Sequence, residues 1–244
     1  MFRVMRGLRT VLDFLFPPRC LACGARTLAP SFCAACAANI PSPASPLCVV
    51  CGLPFTAPGD DHRCGACLNR PPRFARARAC AIYRRSAEAR SPIAVALHNY
   101  KYGRDVTLGR WLGELFADRC PLIVDHDVIV PVPLHLERLR WRGFNQALLL
   151  ARPLARRHRL PLHPFAIART RATVPQVGLN EADRRRNLVG AFTIRDRAAV
   201  RGRKILLVDD VYTTGATVDE CARALRRAHA TKVDVLVLAR AVLD

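Results

Sequence analysis

Apolar and polar positions divide the chain from residue 75 onward into alternating strand and helix patterns. Apolar or alternating runs predict strands at residues 75–84, 127–133, 165–168, 191–194, 204–208 and 232–239. Between several of these runs, apolar residues recur at helical spacing, as in the segment that contains Leu108, Leu112, Leu115 and Phe116. This alternation predicts an α/β fold with a mostly parallel sheet and helices on its faces.

The most informative polar positions follow the predicted strand at residues 204–208. Asp209 and Asp210 come where this strand ends, and a run of hydroxyl residues and glycine leads into a helical pattern that begins near Val218. Open α/β sheets bind ligands at such carboxyl ends, and a loop that leads into a helix N-terminus suits a phosphate. The two carboxylates would repel a phosphate, but they could hold sugar hydroxyls or Mg²⁺. The alternative is an ordinary strand-to-helix turn with two solvent-facing aspartates.

Cysteine spacing sets the first part of the chain apart. Eight of the eleven cysteines form four Cys-x-x-Cys pairs, namely Cys20/Cys23, Cys33/Cys36, Cys48/Cys51 and Cys64/Cys67. Two such pairs complete a tetrahedral Cys₄ zinc site, so we expect two structural Zn²⁺ ions with sequential pairing. Interleaved pairing and disulfides are the alternatives. The zinc module could serve structure alone or contact nucleic acid.

Three predicted segments follow from these patterns. Residues 1–17 have the spacing of an amphipathic helix, although a targeting peptide is the rival interpretation. Residues 18–72 form the cysteine-rich double zinc ribbon, which ends at a proline pair, and residues 73–244 form the α/β domain. No apolar run is long enough to span a bilayer, so we expect a cytoplasmic protein without a transmembrane segment.

The charge balance indicates a polyanionic partner. The formal net charge is +20, from 39 basic and 19 acidic residues. Almost all the basic residues are arginines, and part of that skew is typical of a GC-rich genome. The shortage of acidic residues has no such explanation, and nucleic acid is the commonest partner of so basic a chain.

Residues 205–217 resemble the signature of type I phosphoribosyltransferases that binds phosphoribosyl pyrophosphate (PRPP). Further motifs match the ComF/GntX family of competence-associated phosphoribosyltransferase-like proteins with an N-terminal double zinc ribbon. These motifs are the cysteine pairs, residues 101–103, 130–133 and 142–146, and Gln176 before Arg184 and Asn187. The resemblance implies a type I phosphoribosyltransferase fold.

The resemblance also assigns roles to residues of this chain. Asp209 and Asp210 would be the catalytic pair that binds the ribose hydroxyls. PRPP would bind together with Mg²⁺. It would also contact Lys101, Arg142, Val211, Tyr212, Thr213, Thr214, Gly215, Ala216 and Thr217. Residues 170–180 would form a loop that closes over PRPP.

Members of this family are associated with DNA uptake and natural transformation and are thought to bind single-stranded DNA. The candidate DNA contacts here are Trp141, Phe144, Arg184, Arg185 and Arg186, and DNA-uptake or helicase machinery is a candidate partner. Trp141 and Phe144 could equally be core residues. Two other functions stay open, namely a metabolic phosphoribosyltransferase for base salvage and a non-enzymatic DNA-binding adaptor.

Overall fold

The computed structural model describes residues 17–84, 91–103, 105–119, 125–171 and 186–242. The strands are β1 (Arg76–Arg84), β2 (Val128–Pro131), β3 (Ile167–Arg169), β4 (Phe192–Ile194), β5 (Lys204–Tyr212) and β6 (Lys232–Val242). The helices are α1 (Ala34–Ala38), α2 (Gly65–Asn69), α3 (Pro92–Tyr102), α4 (Val106–Arg119), α5 (Leu136–Arg142), α6 (Gln146–His158) and α7 (Ala216–Arg227).

The central sheet is parallel throughout, in the order β1-β6-β5-β2. β3 and β4 form a separate antiparallel pair, in which Ala168 lies opposite Thr193. The predicted α/β fold with a mostly parallel sheet is therefore confirmed. The sequence did not predict the separate pair, because period-2 patterns identify strands but not their partners.

Side chains alternate between two cores, one on each face of β5. Leu206 and Val208 pack with residues of α3, α4 and α6. Ile205 and Leu207 pack with α7 and with the second cysteine group, which consists of Cys48, Cys51, Cys64 and Cys67. All four residues are fully buried, which explains why the strand reads as a continuous hydrophobic run.

Two glycines allow α4 to approach α6 closely. A Cβ on Gly113 would lie 2.8 Å from the Pro153 Cγ, and one on Gly109 would lie 2.8 Å from the Leu149 Cδ1. Any larger residue would push the helices apart, and with them the segment that leads into α6.

The cysteine-rich segment covers the outer edge of β1. The Ala77 N–H donates to the Val50 carbonyl at 2.7 Å, and the Ile82 N–H donates to the Pro41 carbonyl at 2.9 Å. These bonds satisfy backbone groups that an edge strand would otherwise expose. The segment is thus anchored to the sheet by main-chain hydrogen bonds as well as by side chains.

Within the described ranges, no helix has both the length and the apolar character that crossing a bilayer requires. The predicted N-terminal amphipathic helix lies almost entirely outside those ranges, which begin at residue 17. Cys120 also lies outside the described ranges, whereas Cys80 and Cys221 are buried in the core.

Candidate functional site

The two acidic residues at the end of β5 occupy different environments. Adjacent strand residues point to opposite faces. Asp209 accordingly lies on the face covered by α7, and Asp210 lies on the face covered by α3. Both are buried, with 8% and 4% of their surface exposed.

The pKa of Asp209 is raised from 3.8 to about 7, mainly by burial and in addition by the neighbouring charge of Asp210. Its Oδ1 accepts a hydrogen bond from the Asp210 N–H at 2.9 Å, which together with Lys101 and Arg169 offsets part of the shift. This carboxyl therefore changes its charge near neutral pH. A carboxyl group of this kind accepts a ligand hydroxyl or a cation best once it is ionised.

Asp210 forms an ion pair with Lys101, whose Nζ lies 3.0 Å from the Asp210 Oδ2. Lys101 stands in the last turn of α3, where a cation also suits the helix dipole. The family resemblance named Lys101 only as a contact of PRPP. The structure adds its contact with the acid pair.

The loop after β5 forms a shallow, open pocket that residues 209 and 211–218 line. Gly215 is the N-cap of α7, with a φ of +77°. A Cβ there would overlap the Tyr212 hydroxyl, so only glycine fits. The pocket combines a helix N-terminus, three threonines and a tight glycine turn, which is a suitable cradle for a phosphate.

The segment at residues 142–146 is mostly a positioning device. Gly143 ends α5 in the left-handed region, with a φ of +87°. The Asn145 Oδ1 caps α6 by accepting from the Ala147 N–H at 2.9 Å, and its Nδ2 donates to the Val132 carbonyl at 3.1 Å. The turn thereby ties the loop after β2 to the start of α6.

Arg142 is buried beside this turn, with 8% of its surface exposed. Its Nε has no hydrogen-bond partner in the part of the chain that the structure describes. Tyr100, whose hydroxyl donates to the Gln146 carbonyl at 2.9 Å, lies close to both Arg142 and Asp210. A buried guanidinium with an unsatisfied donor is well suited to an anionic ligand.

Two further arginines belong to the site, and the sequence analysis did not identify them. Arg169 ends β3, is 8% exposed and lies close enough to Asp209 to affect its pKa. Burial lowers the pKa of Arg138, and the nearby charge of Arg142 lowers it further. A charged residue at the end of a predicted strand was the available signal for Arg169, whereas Arg138 had none.

The candidate DNA contacts separate into two groups. Trp141 is 50% exposed, and its ring meets the ring of Tyr102, which is 51% exposed, at 6.4 Å. Phe144 is only 7% exposed and stacks on Tyr100 at 5.3 Å, so it takes the core position that the sequence left open. Arg186 is exposed, and Arg184 and Arg185 lie outside the described residues.

The eight N-terminal thiols form two groups in the sequential pairing. Cys20, Cys23, Cys33 and Cys36 make one group, and Cys48, Cys51, Cys64 and Cys67 make the other. Within each group the sulfur atoms lie within 4.8 Å of one another. Four thiols at this spacing match the ligand set of a structural zinc ion, and the interleaved alternative is excluded.

Backbone N–H groups point at the sulfur atoms in both groups. Cys64 and Cys51 donate to the Cys48 Sγ at 3.3 and 3.4 Å, and Cys33 donates to the Cys20 Sγ at 3.4 Å. Burial raises the pKa of the Cys20 and Cys48 thiols, but these hydrogen bonds outweigh it and bring both to about 6. Burial and the neighbouring sulfur atoms raise the pKa of Cys51 to about 11, so the full set of four thiolates needs a cation such as Zn²⁺ to neutralise it.

Comparisons with known proteins agree with both parts of the chain. A model of the double zinc ribbon domain matches residues 11–68, and a model of the phosphoribosyl transferase domain matches residues 145–242. Among solved structures, a glutamine PRPP amidotransferase from B. subtilis aligns over 60% of this chain and 27% of its own, at 22% identity and a TM-score of 0.37.

Two curated relatives cover most of the chain. The DNA utilization protein YhgH of Escherichia coli O157:H7 is 39% identical over 80% of this chain and 84% of its own length. Competence protein F of Haemophilus influenzae is 32% identical over 86% of this chain and 90% of its own. With a double zinc ribbon followed by a type I phosphoribosyltransferase fold, this chain belongs to the ComF/GntX family of phosphoribosyltransferase-like proteins.

Proposed function

We propose that this protein binds PRPP at the carboxyl end of β5 and acts on single-stranded DNA during DNA uptake or use. PRPP binding is supported by one observation: an acid pair, a phosphate loop that requires glycine, and buried cations lie together in one site. Folding alone requires none of these features. A phosphorylated sugar that bears a second anionic group accounts for all of them.

Each part of PRPP has a suitable partner in this site. The 5′-phosphate suits the loop at residues 213–217, because helix N-termini and threonine hydroxyls bind phosphate. Asp209 and Asp210 suit the ribose hydroxyls, and their oxygens are the donors that Mg²⁺ prefers. Lys101 and Arg142 suit the pyrophosphate charge.

Transfer would break the bond between the ribose C1 and the pyrophosphate oxygen and form a bond from C1 to a nucleophile on the acceptor. The reacting sugar carries positive charge in such reactions, so catalysis rests on positioning and on neutralising the leaving group. Mg²⁺ would supply part of that neutralisation. This chain contributes the buried carboxylates that hold the sugar and the cations that receive the pyrophosphate.

The proposal that the protein acts on DNA is supported by the names of the relatives, by the net charge and by two exposed aromatic rings. Two curated relatives are named for DNA utilization and for competence. The net charge of +20 favours a polyanion. Trp141 and Tyr102 offer exposed aromatic surface beside Lys101 and Arg138, which is the combination that binds single strands by stacking and charge.

Calorimetric titration tests the PRPP site. Wild type should bind PRPP with Mg²⁺ saturably, and the Asp209→Asn/Asp210→Asn variant should bind at least about 100-fold more weakly, because each lost charged hydrogen bond costs roughly tenfold or more. Asp118→Asn, which changes an exposed carboxylate of α4, is the matched control and should bind normally. A folded wild type that gives no heat with PRPP would refute the proposal.

Single-tryptophan variants test the DNA surface. The chain has two tryptophans, so Trp111→Phe leaves Trp141 as the sole reporter, and Trp141→Phe leaves Trp111. A single-stranded oligonucleotide should quench the first variant and not the second, with an affinity that falls steeply with salt. Equal quenching of both, or of neither, would contradict a role for Trp141.

A non-enzymatic adaptor is the second candidate, since the names of these relatives refer to DNA utilization and competence rather than to a transfer reaction. Pyrophosphate release separates the two. If PRPP binds but no nucleobase or DNA acceptor triggers release of pyrophosphate, the site senses PRPP and the transfer step is excluded for those acceptors.

A further inference from the structure

Arg240 is a buried arginine on β6 that contacts the second cysteine group. It is 6% exposed, and its Nη1 donates to the Cys51 carbonyl at 2.6 Å. Its Nη2 lies 3.6 Å from the Cys51 Sγ. The guanidinium therefore touches both the backbone and the sulfur of a predicted zinc ligand.

With zinc bound, the second cysteine group would place negative charge in contact with Arg240. Among the described residues, no carboxylate forms an ion pair with Arg240. A zinc ion with four thiolates carries two net negative charges, so a loaded second group would supply the missing counter-charge. Outer contacts of this kind orient metal ligands and support metal affinity.

The other face of the guanidinium lies on Tyr212. Arg240 and Tyr212 are register partners across β6 and β5, and the guanidinium carbon is 4.4 Å from the tyrosine ring centroid. Phe74 meets the same ring edge-on at 6.4 Å. Tyr212 is thus held between the segment that follows the cysteines and the arginine that contacts them.

Tyr212 in turn forms the floor of the phosphate loop. Its hydroxyl fills the space where a Cβ on Gly215 would stand, so a shift of this ring changes the shape available to the loop. The second cysteine group is itself packed tightly on the sheet. A Cβ on Gly52 would lie 2.7 Å from the Ala77 carbonyl oxygen.

We propose that Arg240 is a positioning residue that couples zinc binding at the second cysteine group to the shape of the phosphate loop. The coupling rests on the PRPP binding proposed above. Zinc at this group holds the guanidinium, the guanidinium holds the Tyr212 ring, and the ring supports the Gly215 turn. Coupling between two binding sites is reciprocal, so PRPP must also stabilise zinc at this group.

Two measurements on the zinc-loaded full chain test this. The first is calorimetric titration of PRPP with Mg²⁺ into Arg240→Met and Arg240→Lys, with Arg78→Met as control. Arg78 also donates to the cysteine-rich segment, because its Nη1 lies 3.3 Å from the carbonyl oxygen of Val49. Val49 lies between Cys48 and Cys51 in the sequence. We expect about tenfold weaker PRPP binding for Arg240→Met and little change for Arg78→Met.

The second measurement follows zinc release to a chromogenic chelator, with and without saturating PRPP. In wild type, PRPP should slow the release of one zinc equivalent severalfold and leave the other unchanged. In Arg240→Met, that equivalent should leave about 10 to 100 times faster, the range typical of lost outer-shell contacts, and PRPP should no longer protect it. Arg240→Lys keeps the charge without the planar stacking and should lie between the two.

The outcomes separate this inference from the proposal it rests on. If wild type binds PRPP but neither the Arg240 variants nor PRPP alters the other site, the coupling is refuted and PRPP binding stands. If wild type binds no PRPP, both are refuted. If Arg240→Met does not fold, two other results decide whether the sites are coupled. They are the protection of zinc by PRPP in wild type and the PRPP titration of Arg240→Lys.

Discussion

Asn in place of Asp209 should stabilise the folded protein at alkaline pH, although it removes a proposed catalytic group. The carboxyl is buried at the end of β5, and its oxygen already accepts the Asp210 N–H, a bond that an asparagine oxygen keeps. The substitution therefore removes a buried negative charge while it preserves the local hydrogen bond.

The size of the effect follows from the pKa. A rise from 3.8 to about 7 means that ionising this group in the folded state costs about 4 kcal/mol more than in the unfolded chain. The folded protein binds the proton more tightly than the unfolded chain, so this group's contribution to the free energy of unfolding falls as pH rises towards 7. Between pH 5 and pH 8 the loss is about 3 kcal/mol.

Urea unfolding of both proteins at pH 5 and pH 8 measures this directly. The free energy of unfolding of Asp209→Asn, minus that of wild type, should increase by about 3 kcal/mol from the lower pH to the higher one. PRPP affinity of the wild type should rise over the same range, because the ionised carboxylate is the better acceptor for ribose hydroxyls. The variant should show no such rise.

Asp234→Asn is the matched control, since it changes a buried aspartate on the neighbouring strand. Burial raises its pKa, but hydrogen bonds from His126 and Lys232 outweigh this and hold it at about 2. Its charge stabilises the fold above the unfolded pKa, so this variant should lose stability at both pH values. A difference for Asp209→Asn that does not change with pH would refute the assignment of a costly buried charge to Asp209.

Three further substitutions have expected outcomes. Gly215→Ala should abolish PRPP binding in calorimetry and cost more stability than Gly190→Ala, which has a similar positive φ of +71° but open space for the new methyl group. Cys48→Ser should lower the melting temperature more than Cys23→Ser, because the first thiol is fully buried in the core and the second is exposed, and equal shifts would argue against a structural second group. Arg142→Met should weaken PRPP binding about tenfold or more in calorimetry but raise the free energy of unfolding, because it removes a buried guanidinium whose Nε has no hydrogen-bond partner among the described residues. A loss of stability would contradict this.

Features formed by neighbouring residues could be predicted from the sequence. The strand, the acid pair and the glycine turn at residues 204–217 are consecutive in the sequence. Their order along the chain was therefore enough to predict their arrangement in the structure. The cysteine pairs also act locally, and sequential pairing follows from their order. The helix that begins after Ser91 is capped by that serine and has Pro92 in its first turn, and both are local signals of a helix start.

Features that depend on strand register could not be predicted. The strand at residues 232–239 continues to Val242, which carries Arg240 into the sheet opposite Tyr212. Arg169 reaches Asp209 from a hairpin whose pairing no local pattern encodes. In each case a charged residue at the end of an apolar run was visible, but its partner lies far away in the sequence.

The acid pair shows why the motif alone was insufficient to assign individual roles. Strand alternation places Asp210 against a lysine and Asp209 on the opposite face, where burial raises its pKa to about 7, so two adjacent and identical residues lie in different environments. The same site contains a buried guanidinium nitrogen that has no hydrogen-bond partner among the described residues, and a left-handed turn that only glycine fits. The burial of Asp209 and the unpaired nitrogen oppose stability, and sequences that fold well avoid such conflicts except where function requires them. Their concentration around one pocket argues that the site is maintained to bind a charged ligand.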